Sequence, residues 1–392
     1  MTGESKKIKI ISIFGTRPEA IKMAPVIREL KSCPDVDSRV VVTAQHREML
    51  DQVLAAFNIK PDYDLEIMRP GQDLFDVTVA VLKGLKGILE VERPDLVLVQ
   101  GDTTTTFTGA LAAFYCQIPV GHIEAGLRTY QKYAPFPEEM NRVLTTRIAD
   151  IHFPPTDRSR DALLKEGIDS DIIFVTGNPV IDALYQALEQ PFHLDPEISR
   201  AFRDNKRVIL LTTHRRENLG APLQDVYMAL REVLLAHPDV AVVFPVHKNP
   251  AVRSEVTSVL QGVERVYLTE PLDYLPFINV MKRAYLVLTD SGGIQEEAPA
   301  LGKPVLVLRE VTERPEAAAF GTARLIGTDR CKVEDEVNRL LDDEGAYLEM
   351  ANAANPYGDG RAASRIIQAI YCYFGLREAP ADFSPAEKSI VP

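Results

Sequence analysis

Two series of short apolar runs, each run closed by a cluster of chemically active residues, constrain this chain more than any other feature. In the first half the runs are Ile8–Phe14, Arg39–Thr43, Leu96–Gln100, Val120–Ile123, Ile151–Phe153 and Ile172–Val175. They carry Val and Ile on both faces, as parallel strands covered by helices on either side require. In the second half Arg207–Thr213, Val240–Pro245, Arg265–Leu268, Ala284–Thr289, Lys303–Leu308 and Ala323–Ile326 repeat the pattern. Segments at helical period lie between them, such as Ala20, Met23, Ala24, Ile27 and Leu30. The alternation predicts an α/β fold of two doubly wound halves. Ligands of such sheets sit beyond the carboxyl ends of the strands, which is where the reactive clusters fall.

Turn residues at Thr176-Gly177-Asn178-Pro179 place the boundary at 177, giving domains over 1–177 and 178–360. After the turn-rich Asn355 to Gly360 a last helix is expected over 361–375, and the tail 376–392 reads as disordered. The formal charge of −12 gives no field that favours nucleic acid. No apolar run reaches the roughly 18 residues of a membrane span, and the polar start lacks a signal segment, so a cytoplasmic protein is expected. The cysteines Cys33, Cys116, Cys331 and Cys372 show neither metal nor redox spacing, and no metal is predicted.

Asp290-Ser291-Gly292-Gly293 joins a strand to a helix. Glycines allow close backbone approach, and first-turn N–H groups favour an anion, with Ser291 adding a hydroxyl. Glu297, one turn on, suits ribose hydroxyls. The plain alternative is a serine-capped turn. Gly15-Thr16-Arg17-Pro18 repeats the construction, with Arg17 and Lys22 near it. No G-x-G-x-x-G follows the first strand, which disfavours a nicotinamide site. Asp102, Glu124 and Glu138 are the acid/base candidates, since clustered carboxylates can hold one proton between them. The alternatives are an N-cap for Asp102 and a first-turn charge for Glu138. His214, beside Arg215 and Arg216, should be biased toward neutral and fit to shuttle a proton.

Together these segments resemble the non-hydrolysing UDP-N-acetylglucosamine 2-epimerase family. The resemblance is carried by Phe14 to Lys22, Thr43 to Arg47, Gly101 to Thr106, Gly121 to Arg128, Pro137-Glu138-Glu139, His214 to Asn218, Asp290 to Glu297, Thr312 to Glu316 and Asn355 to Arg361. It implies a GT-B-type fold of two Rossmann-like, doubly wound domains with the nucleotide sugar in a cleft between them, a last helix returning to the first domain, and usually a homodimer. It implies UDP-N-acetylglucosamine and UDP as ligands, no cofactor, and a role in polysaccharide biosynthesis. The reaction would be reversible C2 epimerisation to UDP-N-acetylmannosamine, by loss of UDP to 2-acetamidoglucal and re-addition.

Carried over by motif, Arg17, Lys22, His214, Ser291, Gly292, Gly293 and Glu297 would grip UDP, with Arg314 supporting the diphosphate. Phe277 would flank the uracil, and main-chain groups near Leu272 would read its edge. Asp102, Glu124 and Glu138 would move the protons. Some family members bind a second UDP-N-acetylglucosamine as activator at groups matching Gln45, His46, Gln72, Arg215 and His247. This chain has Glu48 and Gly71 where those members resemble Gln and Arg, so an anionic activator should bind less well. The competing readings are a hydrolysing 2-epimerase and a GT-B glycosyltransferase.

Overall fold

The computed structural model of the protein describes residues 7–44, 47–69, 71–215 and 218–385. The chain forms two compact units, one of residues up to Ala187 together with Tyr357–Ser384, the other built on Leu188–Pro356.

The first unit holds six parallel strands: β1 (Ile8–Phe14), β2 (Val36–Val42), β3 (Tyr63–Asp64), β4 (Leu96–Gln100), β5 (Val120–Ile123) and β6 (Ile151–Phe153). Their order is β3-β2-β1-β4-β5-β6. The chain runs outward from β1 to β3, then returns to β4 on the other side of β1. Successive crossovers therefore diverge between β1 and β4, and a crevice opens there at the carboxyl ends. Ile11, Ile13, Val97 and Val99 pack on Val77, Val81, Leu85 and Leu89 of helix Leu74–Glu92. Each such burial contributes roughly 1.5–3 kcal/mol.

The second unit repeats the plan with β7 (Arg207–Thr212), β8 (Val240–Pro245), β9 (Val266–Thr269), β10 (Leu286–Thr289), β11 (Val305–Val307) and β12 (Ala323–Leu325). Its order is β12-β11-β10-β7-β8-β9, so the divergence falls between β7 and β10. Helices Ala221–Ala236 and Arg330–Asp342 bury Leu223, Val226, Leu230, Val333 and Val337 in the core that also holds Ile209, Leu211, Val242 and Phe244. The chain is thus an α/β protein of two Rossmann-like units, as in the GT-B type.

Four expectations change. The strand expected at Arg39 begins at Val36, and the edge pair Tyr63–Asp64 is an unforeseen strand. Ile172–Val175 is not a full strand and retains only a bridge between His152 and Ile173. The unit boundary lies after Ala187 rather than at 177, because helix Pro179–Leu188 buries Val180, Ile181, Ala183 and Leu184 in the first unit. Asp182 also accepts from Ala362 N and Ala363 N, fastening helix Ala362–Tyr373 to that unit. This last helix packs on helix Arg17–Ser32. Finally, the tail is not disordered from 376: Phe383 is buried, and its N–H donates to Val175 O at 2.7 Å.

No helix among the described residues is long and apolar enough to cross a membrane. The four cysteines are free.

Candidate active site

In the first unit the turns after β1 and β4 are bound to one buried side chain, Glu19. It accepts from Gly15 N (3.1 Å), Thr16 N (2.7 Å), Thr103 Oγ1 (2.7 Å) and Thr106 Oγ1 (3.1 Å). Burial raises its carboxyl above the ordinary range, against the pull of these donors. Gly15 must be glycine for space. A Cβ there would stand 2.0 Å from Thr43 Oγ1 and 2.6 Å from Thr105 Oγ1.

Asp102 and Glu124 close the adjacent strands β4 and β5. Helix Thr104–Tyr115 is capped by Thr103, which accepts from Thr106 N at 3.1 Å. Asp102 is therefore not the cap, and its carboxylate meets Arg142, which also reaches Glu139 at 3.1 Å. Arg142 and Asn141 stand one turn beyond Glu138 in helix Glu138–Ile148, so residues 138, 141 and 142 share a face. Asn141 Nδ2 donates to Asp102 O at 2.9 Å, which turns that face toward Asp102. Glu138 is half-buried there.

Glu124 has φ +63°, a left-handed backbone uncommon outside glycine, and its side chain is nearly buried. Lys22 Nζ sits 2.6 Å from both carboxylate oxygens, Asn178 Nδ2 donates at 2.9 Å, and Gln100 Nε2 donates as well. The carboxylate passes close under Gly101, whose Cβ position would lie 3.5 Å from Oε2. Asp102, Glu124, Lys22 and the Glu138 face thus converge at one end of the sheet. Arg17 occupies the first helical position of the neighbouring turn. Beneath them His122 Nε2 meets Gly101 O at 2.7 Å. Burial lowers His122 to about 4, which keeps its ring neutral.

In the second unit the divergence of β7 and β10 is occupied by Asp290. Its buried carboxylate accepts from His214 N and Arg215 N, both at 2.9 Å, and meets His214 Nδ1 at 2.8 Å. Burial alone would raise this carboxyl; the His214 ring and the two N–H groups hold it below its ordinary value. The expectation that flanking arginines govern His214 is corrected. Its partner is Asp290, while the Arg215 guanidinium turns to Glu313 at 3.3 Å, and Arg216 lies outside the described residues. With Nδ1 committed to Asp290, Nε2 is the nitrogen that His214, 40% exposed, can present to a ligand.

Ser291-Gly292-Gly293 follows at the same strand ends. Ser291 is not the helix cap; Gly293 holds that position without a side-chain bond. A Cβ at Gly292 or Gly293 would meet no heavy atom within 4 Å, so packing does not demand glycine at either. Glu297 is buried and accepts from Tyr274 OH at 2.9 Å. Arg314 is locked by its Nε to the buried Glu296. Leu272 and Phe277 are half-buried in the loop and first turn after β9.

Of the residues expected at an activator site, His247 is exposed, with its ring 6.0 Å from that of His214, and Arg215 lies on the same strand end as His214. Gln72, in the first unit, accepts from Arg69 N at 2.8 Å. Gln45 and His46 lie outside the described residues. Sequence reasoning gave no role to Glu19, Gln100, Arg142, Asn178 or the Asp290 carboxylate, each of which meets at least one group remote in the chain. Among the described residues no group of acidic, histidine and cysteine side chains could hold a metal ion.

The sequence model of the UDP-N-acetylglucosamine 2-epimerase family matches residues 28–371. The chain is 55% identical over 372 residues to the UDP-N-acetylglucosamine 2-epimerase of Salmonella typhimurium, covering 93% of this chain and 99% of that one. A Listeria monocytogenes structure described as a putative UDP-N-acetylglucosamine 2-epimerase superposes with a TM-score of 0.91 at 52% identity, covering 96% of this chain and 100% of that chain. The UDP-GlcNAc 2-epimerase of Neisseria meningitidis, solved bound to UDP-GlcNAc, gives a TM-score of 0.85 at 50% identity, with 93% and 100% covered.

Proposed function

Because the chain belongs to the UDP-N-acetylglucosamine 2-epimerase family, we propose that it interconverts UDP-N-acetylglucosamine and UDP-N-acetylmannosamine without net hydrolysis. The C2 hydrogen is not beside a carbonyl, so direct deprotonation is difficult. Elimination avoids this. The C1–O bond breaks with its electron pair leaving on UDP, C2 loses its proton to a base, and 2-acetamidoglucal forms. In the return step the diphosphate oxygen adds to C1, and a proton reaches C2 on the opposite face.

The observation that carries this reading is the contrast between the two strand-end clusters. The first unit gathers carboxylates, with Glu124 ringed by Lys22, Gln100 and Asn178, and Asp102 clamped by Arg142. Groups in such different settings suit opposite proton roles. In the second unit the carboxylates at the strand ends are engaged within the unit, Asp290 by His214 and Glu296 by Arg314. There the Ser291–Gly293 backbone, left open by two glycines that packing does not require, would grip the diphosphate. His214, aimed by Asp290, and Arg314 would add donors, and Arg17 would add a cation. Glu297 would bind ribose hydroxyls, and Phe277 and the main chain at Leu272 would hold the uracil. A severed leaving group retained in this way is available for re-addition.

The test is turnover in heavy water. Deuterium should enter C2 of both sugar nucleotides while free UDP stays scarce. Accumulation of UDP and free N-acetylmannosamine would instead establish a hydrolysing enzyme. Hyperbolic kinetics would set aside the activator at Arg215 and His247; a sigmoidal curve abolished by His247→Ala would establish it.

A cytoplasmic homodimer serving polysaccharide biosynthesis completes the reading. The dimer is supported by exposed apolar side chains on two helices of the first unit that pack together, Phe75, Val79 and Val91 on one and Phe114 and Tyr115 on the other. Exposed apolar groups gathered in this way mark association surfaces.

A further inference from the structure

One donor to Glu124 comes from the irregular stretch that enters helix Pro179–Leu188, whose first turn holds it on one side: Val180 N donates to Asn178 Oδ1 at 3.2 Å and Ile181 N to Asn178 O at 3.1 Å. Asn178, itself fully buried, ends the extended segment Val175–Asn178. On one side that segment rests on the strand edge, where Phe174 N donates to His152 O and Thr176 N to Pro154 O, both at 3.0 Å. Its other side is closed by the C-terminal chain. Val175 N donates to Asp382 Oδ1 at 3.0 Å, and Val175 O accepts from Phe383 N at 2.7 Å. The Phe383 ring, 3% exposed, lies 3.5 Å from the Cβ position of Gly177, with the Arg365 guanidinium 5.4 Å from its centre. Arg365 Nη1 donates to Thr176 O at 3.3 Å, and Asn178 N donates to Tyr357 O at 2.6 Å. Gly177 has φ +80°, so the segment is bent immediately before Asn178, where its course depends on what is packed against it.

We propose that Asp382 and Phe383 are positioning residues for the Glu124 carboxylate, acting through Val175–Asn178. The proposal rests on the reading that Glu124 takes part in proton transfer at C2. Among the described residues no strand pairs with the segment's outer edge, so the terminal chain supplies both the backbone pairing and the apolar cover. Without them the segment that leads into Asn178 loses its outer support, and the amide, still tied to the helix by Val180 N, shifts relative to Glu124, which keeps Lys22 and Gln100 but loses the donor that fixes its direction. Substrate binding is carried by other groups, so the loss should fall on turnover.

The experiment compares full-length protein with Phe383→Ala, Phe383→Leu, Asp382→Ala and a chain ending at Gly375, alongside Glu124→Gln. Rates of deuterium entry at C2, kcat, KM and melting temperature are measured for each. Phe383→Ala should lose kcat on the order of ten- to a hundred-fold, the scale of a small misplacement of a catalytic group. KM should stay within about two-fold. Phe383→Leu, which keeps the apolar cover, should recover most of the rate. If the shortened chain does not fold, the point variants decide. Folded Phe383→Ala and Asp382→Ala enzymes with full kcat would overturn the proposal. So would a fall in kcat that only tracks the folded fraction. Glu124→Gln separates the two readings. If it retains C2 exchange, the proton-transfer role of Glu124 fails and the proposal with it. If it abolishes exchange while the Phe383 variants keep full kcat, the proposal alone fails.

Discussion

Arg142 shows how one side chain can organise several functions. It joins Asp102 to Glu139, and Glu139 in turn accepts from Thr129 N and Tyr130 N. A planar guanidinium can hold two carboxylates in fixed directions, whereas an ammonium is a point charge on a flexible stem. Arg142→Lys should therefore lower kcat by roughly 10²-fold while the protein stays folded. Steady-state rates and circular dichroism check this, and a lysine variant with near-normal kcat would refute it. The buried imidazoles His122 and His152, paired across β5 and β6, set an acid limit on stability. Burial lowers His122 to about 4 and His152 to about 3 from an ordinary 6.5. The unfolded chain therefore takes up protons first as pH falls. Their contribution is whole above about pH 6.5 and is lost on descent toward 4 and then 3, on the order of a few kcal/mol. Asp182, raised by burial to about 6, works in the opposite sense, losing its contribution as pH rises toward that value. The imidazoles carry the larger displacement, so the melting temperature should drop between about pH 7 and pH 5. A flat profile would contradict this.

At the scale of elements, the turn after β1 depends on fit. Thr43, Gly15 and Thr105 touch, and Glu19 ties the turn to Thr103 and Thr106 across the divergence of β1 and β4. Gly15→Ala should push the turn outward and cost about 1–3 kcal/mol. Denaturant unfolding measures it, and a loss below half that range would show that the turn has room. The strand ends themselves were legible, since Gly101-Asp102, Gly121 to Glu124, His214 and Asp290 all close apolar runs. The misread elements have physical causes. Tyr63–Asp64 is too short to carry a periodic signal. Ile172–Val175 has strand composition but makes only a bridge to the β6 edge, and its outer side is covered by the tail, some two hundred residues further along the chain.

At the scale of the molecule, the sheet and core of the second unit lie in the single stretch Leu188–Pro356, whereas the first unit needs Tyr357–Ser384 as well as the stretch up to Ala187. Leu188–Pro356 expressed alone should fold on its own sheet and core, and excess UDP should raise its melting temperature by several degrees. Residues 1–187 alone should be far less stable, because helix Ala362–Tyr373 and Phe383 would be missing. Circular dichroism and thermal shift decide, and an unfolded 188–356 would refute the division. Phe114→Asp, which places a charge on the apolar face beside helix Leu74–Glu92, should convert a dimer to a monomer in sedimentation. An unchanged mass would dismiss that face as the interface.

By itself the sequence determined the α/β class, the two sheets and the chemistry at their strand ends. Apolar periodicity and turn residues are local, and a parallel sheet places every strand end on one side. Only the tertiary structure decided which groups meet. Arg142 and Asp102 stand 40 residues apart, His214 and Asp290 76, and Lys22 and Glu124 102. Strand order brings such pairs together, and strand order is set by packing over the whole sheet rather than by any window of residues.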